Sequence, residues 1–215
     1  MIRVLIADDD PDVRVSLHEI LTSATDIDVA AEATDGRTAV TRTAAHAPDV
    51  VLLDIRMPGM DGLAAAREIR RQRPRQPIIM LTTFGEADYV RQAVALGVNG
   101  FLLKAGDPHA LLDGLRSVVA GGACLSPPIA AMLIEDHQPL ATARQDANRA
   151  RAVLEQLPAR ERQVLDLAAQ GRSNAEIADS LHLSEATVKG YLSSTFTRLG
   201  VRNRVEAAIL SWQAR

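Results

Sequence analysis

The stretch Val50–Gly62, VVLLDIRMPGMDG, decides the fold of the first half of this chain. Its first four residues are all apolar, a pattern typical of a strand covered on both faces in a parallel sheet. The run ends at Asp54, after which Pro58-Gly59 turns the chain and Asp61-Gly62 begins a helix. Because open α/β sheets bind ligands at the carboxyl ends of their strands, we predict that Asp54 stands at a functional rim.

Strand-like and helix-like segments alternate on both sides of this stretch. Their spacing predicts right-handed crossovers and a doubly wound α/β domain with a five-stranded parallel sheet. The predicted strands are Ile2–Ala7, Asp28–Ala33, Val50–Leu53, Ile78–Leu81 and Gly100–Leu103. The predicted helices are Pro11–Leu21, Gly36–Ala45, Leu63–Arg71, Glu86–Leu96 and Pro108–Val119.

Length and composition favour a globular protein of two domains. The chain has 215 residues, of which 47% are hydrophobic and 24% charged. No apolar run approaches the roughly 20 residues that a membrane helix needs, and the start carries no signal-peptide pattern, so we expect a cytoplasmic protein without membrane contact. The single cysteine, Cys124, excludes an internal disulfide and is best interpreted as a small buried or linker hydrophobe.

The composition changes after residue 120. Gly121-Gly122, Pro127-Pro128 and Pro139 indicate a linker, with a possible short helix at Ile129–Glu135. We therefore predict a first domain at residues 1–120, a linker at 121–148 and a second domain at 149–215. Residues 1–120 carry a net charge of −4 and residues 144–215 carry +3. This split favours a cation or phosphate site in the first domain and a negatively charged partner for the second.

Polar side chains follow four of the predicted strands. They are Asp8 and Asp9 after the first strand, Asp54 after the third, Thr82 after the fourth and Lys104 after the fifth. Carboxylates brought together at one rim repel unless a cation joins them, and a set of oxygen ligands suits Mg²⁺. The lysine and the hydroxyl would complete a cradle in which Asp54 attacks a phosphoryl group. Asp10 precedes Pro11 and is predicted to cap the first helix instead.

Residues 1 to about 120 resemble a two-component receiver domain through these side chains and the DIRMPGMDG signature. The resemblance implies the flavodoxin-like strand order 2-1-3-4-5 and a histidine kinase as the phosphoryl donor. It implies that Asp54 is the phosphoacceptor, and that Mg²⁺ is bound by Asp9, Asp54 and the backbone carbonyl of Arg56, with Asp8 acting largely through water.

The same resemblance assigns Phe101 as the switch aromatic, three residues before Lys104. A phosphoryl group on Asp54 would draw the Thr82 hydroxyl inward and vacate space for the Phe101 ring. A passive core aromatic is the alternative interpretation of Phe101.

The second domain is predicted to be helical. A capping box at Ser173–Glu176 begins one helix, and Ser184 caps a longer one after a three-residue turn, which is a helix-turn-helix plan. The predicted helices are Arg160–Gln170, Asn174–Leu181, Glu185–Leu199 and Arg204–Gln213.

This domain resembles the LuxR-type domain of NarL/FixJ response regulators through LPARERQVLDLAAQG, SNAEIADSLHLSEATVKGYL and RLGVRNRVEAA. We expect its second helix to enter the major groove of double-stranded DNA. The candidate DNA-binding residues are Thr187, Lys189, Gly190 and Ser193 on this helix, with Arg198, Arg202 and Arg204 near its end as candidate phosphate contacts.

The sequence therefore favours a phosphorylation-dependent transcriptional regulator that binds DNA as a homodimer and is not an enzyme. Two alternatives stay open. A metal-dependent phosphohydrolase could use Asp8, Asp9 and Asp54, and a regulator could act through protein contact without DNA.

Overall fold

The computed structural model describes residues 1–83, 87–126, 129–130, 132–133, 151–201 and 203–214. Contacts divide the chain into two compact units. The first comprises Met1–Val119 and Cys124–Ser126, and the second comprises Ala120–Ala123 and Pro127–Arg215. Among the described residues, no helix has the length and apolar character needed to cross a membrane.

The first unit is built on a parallel sheet with the order β2-β1-β3-β4-β5-β6. The predicted α/β class and the order 2-1-3-4-5 are confirmed, and a sixth strand extends the sheet beyond β5. The strands are β1 (Ile2–Ala7), β2 (Ile27–Ala33), β3 (Val50–Asp54), β4 (Ile78–Thr82), β5 (Gly100–Leu103) and β6 (Cys124–Leu125).

Five helices connect strands β1 to β6 of this sheet. They are α1 (Pro11–Thr22), α2 (Gly36–His46), α3 (Gly62–Gln72), α4 (Ala87–Ala95) and α5 (Pro108–Val119). Aspartates cap the first three, because the side chains of Asp10, Asp35 and Asp61 accept hydrogen bonds from amides of the first helical turn. The cap predicted at Asp10 is therefore confirmed.

The register of the central strands brings their carboxyl ends to one edge. Ala7 of β1 pairs with Leu53 of β3, and Asp54 pairs with Leu81 of β4. Every residue of β3 and β4 is buried, as the uninterrupted apolar runs predict for strands covered on both faces. The polar residues that follow these strands are thus held at one rim by a rigid core.

Strand β6 lies inside the segment 121–148 that was predicted to be a linker. Cys124–Leu125 instead belongs to the sheet of the first unit, where it pairs with β5. Two glycines make the pairing possible. A Cβ on Gly100 would lie 2.3 Å from Cys124 Sγ, and one on Gly114 of α5 would lie 3.1 Å from Cys124 Cβ. Burial raises the pKa of the Cys124 thiol to about 12. An unreactive packing residue, as expected from the sequence, fits both observations.

The second unit contains helices α6 (Ala159–Ala169), α7 (Asn174–Leu181), α8 (Glu185–Leu199) and α9 (Arg204–Gln213). Residues 129–130, 132–133 and 151–155 are also helical, and the rest of the predicted helix Ile129–Glu135 lies outside the described residues. The predicted capping box at Ser173 and Glu176 is confirmed, and Ser184 caps α8 as expected. Val164, Ile177, Val188 and Leu192 form one buried cluster that packs α6, α7 and α8 together.

Candidate functional site

Three carboxylates from two strand ends meet at the rim of the first unit. Oxygen atoms of Asp8, Asp9 and Asp54 all lie within 4.8 Å of one another. Asp8 and Asp54 are buried, whereas Asp9 is exposed. The structure therefore forms the acidic cluster predicted from the sequence, with its open side at Asp9.

Lys104 completes the cluster from the end of β5. Its Nζ atom lies 2.8 Å from Asp8 Oδ2 and 2.9 Å from Asp54 Oδ1. Burial acts to lower the pKa of the ammonium, but its hydrogen bonds to both carboxylates outweigh burial and raise the pKa. Lys104 is thus a fixed positive charge between two buried acids.

One lysine does not neutralise the acids around it. Burial is the largest cause that raises the pKa of Asp54, to about 6; the hydrogen bond from Lys104 opposes it, and the charge of Asp8 adds to it. A second cation at this cluster would relieve the remaining repulsion. Three carboxylates, one of them facing solvent, form an acidic pocket of the kind that binds Mg²⁺ with part of its water shell retained.

The loop after β3 keeps Asp54 in place through close backbone packing. A Cβ on Gly62 would lie 2.0 Å from the Asp54 carbonyl oxygen, and the Gly62 amide donates to the Ile55 carbonyl at 2.9 Å. Gly59 has φ +74, a conformation that glycine adopts at little cost. Gly59 therefore suits the turn, and Gly62 is required by the close approach of α3 to β3.

Thr82, predicted to follow the fourth strand, is the last residue of β4, and Phe101 lies on β5 as predicted. Both are buried. The Thr82 hydroxyl donates to the Thr83 carbonyl at 2.8 Å, so a contact with phosphoryl oxygens on Asp54 would require that bond to break. The Phe101 side chain is fully buried in the core. This placement fits both a switch aromatic and a passive core aromatic, so the role of Phe101 stays a prediction.

Arg56 is exposed, and its guanidinium carbon lies 5.4 Å from the centre of the Tyr89 ring on α4. This stacking joins the loop after β3 to α4 beside the acidic pocket. Binding of a metal by the Arg56 carbonyl stays a prediction.

Helix α8 carries most of the residues predicted to read DNA on its exposed side. Thr187, Lys189, Gly190 and Ser193 are exposed, as are Glu185 and Thr197. Open space surrounds the position of a Cβ on Gly190. The exposed side chains of this helix are short apart from Glu185, Lys189 and Arg198, so this face presents little bulk and little charge to a partner.

Glu161 of α6, which was not predicted from the sequence, contacts α8 on its inner face. It is buried, its Oε1 accepts a hydrogen bond from Ser194 Oγ at 2.9 Å, and its Oε2 lies 3.3 Å from Arg198 Nε. Arg198 remains more than half exposed and can still meet a phosphate. The available signal in the sequence was the polar run RERQ at residues 160–163, because one of its charged residues had to fall near the buried face of the helix.

Arg204 is not a surface residue, and its predicted phosphate contact is wrong. The residue is buried, and its guanidinium donates to the carbonyls of Gly121, Ala168 and Arg172 and to Asn174 Oδ1. Burial lowers its pKa to about 10. Its guanidinium instead satisfies three backbone carbonyls and one side-chain amide oxygen inside the second unit. Arg202 lies outside the described residues.

Two family comparisons cover most of the chain. The family described as "Response regulator receiver domain" matches residues 4–116, and the family described as "Bacterial regulatory proteins, luxR family" matches residues 155–211. The first match contains the acidic pocket and Lys104, and the second contains the exposed side of α8.

Three relatives resemble the chain over nearly its full length. The uncharacterized transcriptional regulatory protein YxjL of Bacillus subtilis is 33% identical over 98% of this chain and 94% of its own. The response regulator protein VraR of Staphylococcus epidermidis is 32% identical over 99% and 97%. A crystal structure of the response regulator ChrA from a heme-sensing two-component system is 37% identical, with a TM-score of 0.55 over 99% of this chain and 96% of that one.

Proposed function

Because this chain belongs to the response regulators that join a receiver domain to a LuxR-type DNA-binding domain, we propose that phosphorylation of Asp54 in the presence of Mg²⁺ controls its binding to DNA as a homodimer. Members of this family regulate transcription and are not enzymes that turn over external substrates. The observation that carries the proposal is the meeting of Asp8, Asp9 and Asp54 within 4.8 Å, with Lys104 bonded to two of them.

The phosphoryl donor is a phosphohistidine of a cognate kinase. An ionised Asp54 oxygen forms a bond to phosphorus while the bond from phosphorus to the histidine nitrogen breaks, and the imidazole leaves with that electron pair. Lys104 holds a positive charge beside Asp54 Oδ1 and stabilises the charge that spreads over the phosphoryl oxygens. The raised pKa of Asp54 keeps part of the carboxyl protonated near pH 6 and so limits its reactivity there.

The residues present fit a magnesium site. Asp9 and Asp54, with the Arg56 carbonyl, would hold the ion directly, and Asp8 would act through water. When bound, Mg²⁺ would neutralise acidic charge and bind phosphoryl oxygens of the donor. The open side of the pocket at Asp9 leaves room for those ligands.

The second domain supplies the DNA contact. Ser184 caps α8, and the exposed face with Thr187, Lys189, Gly190 and Ser193 is the surface proposed to enter the major groove. Arg198, and Arg202 beyond the helix, are proposed to contact phosphates. A single helix reads few base pairs, so two copies on two half-sites are the arrangement that gives specific binding.

The proposal is tested by selecting genomic DNA fragments with the protein after treatment with a small phosphodonor and Mg²⁺. We expect the wild type to retain specific fragments and Asp54→Asn to retain them weakly under the same treatment. Lys189→Ala should weaken binding and flatten its salt slope by about one unit if the ammonium contacts a phosphate. Arg160→Ala, which removes an exposed charge from α6, is the matched control and should leave the slope unchanged.

Two other results would point to the alternatives. A phosphohydrolase would release phosphate steadily from a small phosphate ester, and deletion of residues 149–215 would not affect it. A regulator acting through protein contact would retain no DNA fragment in either phosphorylation state. Either result would contradict the proposed function.

A further inference from the structure

Arg14 of α1 contacts the acidic loop without belonging to the pocket. Its Nη1 atom donates to the Asp8 carbonyl oxygen at 2.8 Å, and only 16% of its side chain is exposed. Long side chains on a helix point toward its N-terminus, so a residue in the second turn can reach back to the strand that precedes the helix. This contact was not predicted from the sequence.

The guanidinium is also anchored on its far side. Arg14 Nε lies 3.7 Å from Glu32 Oε2 on β2, and Glu32 Oε1 lies 2.8 Å from Nδ1 of His18. The Arg42 side chain donates to the Glu32 carbonyl. Arg14 is therefore fixed between the neighbouring strand and the end of β1.

The other polar groups of Asp8 already have partners. Its amide donates to the Ala33 carbonyl at 3.1 Å, its Oδ1 accepts from the Asp10 amide at 3.0 Å, and its Oδ2 faces Lys104. The carbonyl bound by Arg14 lies in the same rigid plane as the amide of Asp9. The orientation of that plane sets the direction in which the Asp9 side chain leaves the backbone.

We infer that Arg14 is a positioning residue, which fixes the Asp8–Asp9 peptide so that the exposed Asp9 carboxylate faces the metal position of the acidic pocket. This inference rests on the proposed function, because it concerns the same site. The competing explanation is a partly exposed ion pair with Glu32 that only adds stability. Such pairs contribute little, and loss of one would leave metal affinity unchanged.

The first test measures the magnesium dissociation constant by isothermal titration calorimetry of the full chain with MgCl₂ alone. The second measures the rate of phosphorylation by phosphoramidate over a range of Mg²⁺ concentrations. For Arg14→Met we expect the magnesium dissociation constant to rise about tenfold, as for other residues that orient metal ligands. The maximal labelling rate at saturating Mg²⁺ should be close to that of the wild type. Arg14→Lys, which keeps a donor, should recover much of the affinity.

Two controls separate positioning from general destabilisation. Arg116→Met breaks an exposed arginine pair with Asp26, and His18→Ala removes the other partner of Glu32; neither should change the magnesium dissociation constant. Glu32→Gln weakens the anchoring of Arg14 and also the contact to His18, which His18→Ala tests separately. It should raise the constant about threefold, the size of a partly exposed ion pair.

An unchanged magnesium dissociation constant in folded Arg14→Met would overturn the inference. Should that variant fail to fold, Glu32→Gln decides in its place, and an unchanged constant there has the same meaning. If the wild type binds Mg²⁺ but is not phosphorylated by phosphoramidate, the result contradicts the proposed function rather than the role of Arg14.

Discussion

Lys104 Nζ lies 2.9 Å from Asp54 Oδ1, and the same ammonium lies 2.8 Å from Asp8 Oδ2. The end of β5 is thereby joined to the ends of β3 and β1 across the sheet. Asp8 and Asp54 are both buried, so the lysine offsets a repulsion that solvent cannot screen. This arrangement makes the stability of the first unit depend on the charge balance of the pocket.

Replacement of Lys104 by methionine should destabilise the first unit. Two buried carboxylates would be left without their cation, and such losses cost about 3–5 kcal/mol. Adding Asp8→Asn to the same chain should restore much of the loss, because it removes one of the two repelling charges. Urea unfolding measured by circular dichroism without metal compares the wild type with both variants. Equal stability of wild type and Lys104→Met would contradict the ion-pair geometry.

Ionisation of Asp54 should lower stability as the pH rises. Its pKa is raised from an ordinary 3.8 to about 6 when the protein folds, so the folded state binds more protons than the unfolded state between these values. In EDTA, Asp54→Asn should therefore be more stable than the wild type at pH 7.5. The difference should shrink by about 1 kcal/mol at pH 5. A difference that does not depend on pH would mean that Asp54 titrates normally.

Gly62→Ala should displace the loop that holds Asp54. The added Cβ would lie 2.0 Å from the Asp54 carbonyl oxygen, and backbone atoms cannot yield as a flexible side chain can. We expect the free energy of unfolding to fall by about 1–3 kcal/mol, and phosphorylation of Asp54 by phosphoramidate to be greatly reduced. Gly59→Asn is the matched control in the same loop, because the position has a positive φ and open space around it. If Gly62→Ala behaved like Gly59→Asn, close packing of α3 against β3 would not be required.

Thr195→Val should stabilise the second unit. The Thr195 hydroxyl is fully buried in α8 and has no hydrogen-bond partner within the part of the chain that the structure describes. A methyl group of similar size removes the cost of that unpaired hydroxyl, about 1–2 kcal/mol. Thermal unfolding followed by Trp212 fluorescence would measure the change. The exposed Thr197→Val serves as a control, and a stabilisation of the same size there would point to helix propensity instead.

The sheet and the acidic pocket could be predicted from the sequence because they depend on short-range patterns. Uninterrupted apolar runs ending in Asp8, Asp54 and Lys104 place those side chains at one rim once the strands are parallel. Strand β6 could not be predicted, because the apolar run Ala123–Leu125 is shorter than the four to eight residues, roughly, that signal a strand. It pairs with β5 only where Gly100 and Gly114 leave space.

The placement of single arginines was harder to predict. Arg198 and Arg204 have the same chemistry and lie six positions apart, yet one is exposed and the other is buried among carbonyls. Helical period alone gives a face for each residue, but the ends of neighbouring helices decide whether unpaired carbonyls surround it. Arg14 was not predicted for a related reason, since its partner is the Asp8 carbonyl at the end of a strand, which the helical period does not reveal.

The central claim is that the pocket makes Asp54 a phosphoryl acceptor, and intact-protein mass spectrometry after incubation with phosphoramidate tests it most directly. With Mg²⁺ present, we expect the wild type to gain one phosphoryl group, and we expect Asp54→Asn or removal of Mg²⁺ by EDTA to prevent the gain. Equal labelling of wild type and Asp54→Asn would place the acceptor elsewhere and contradict the account.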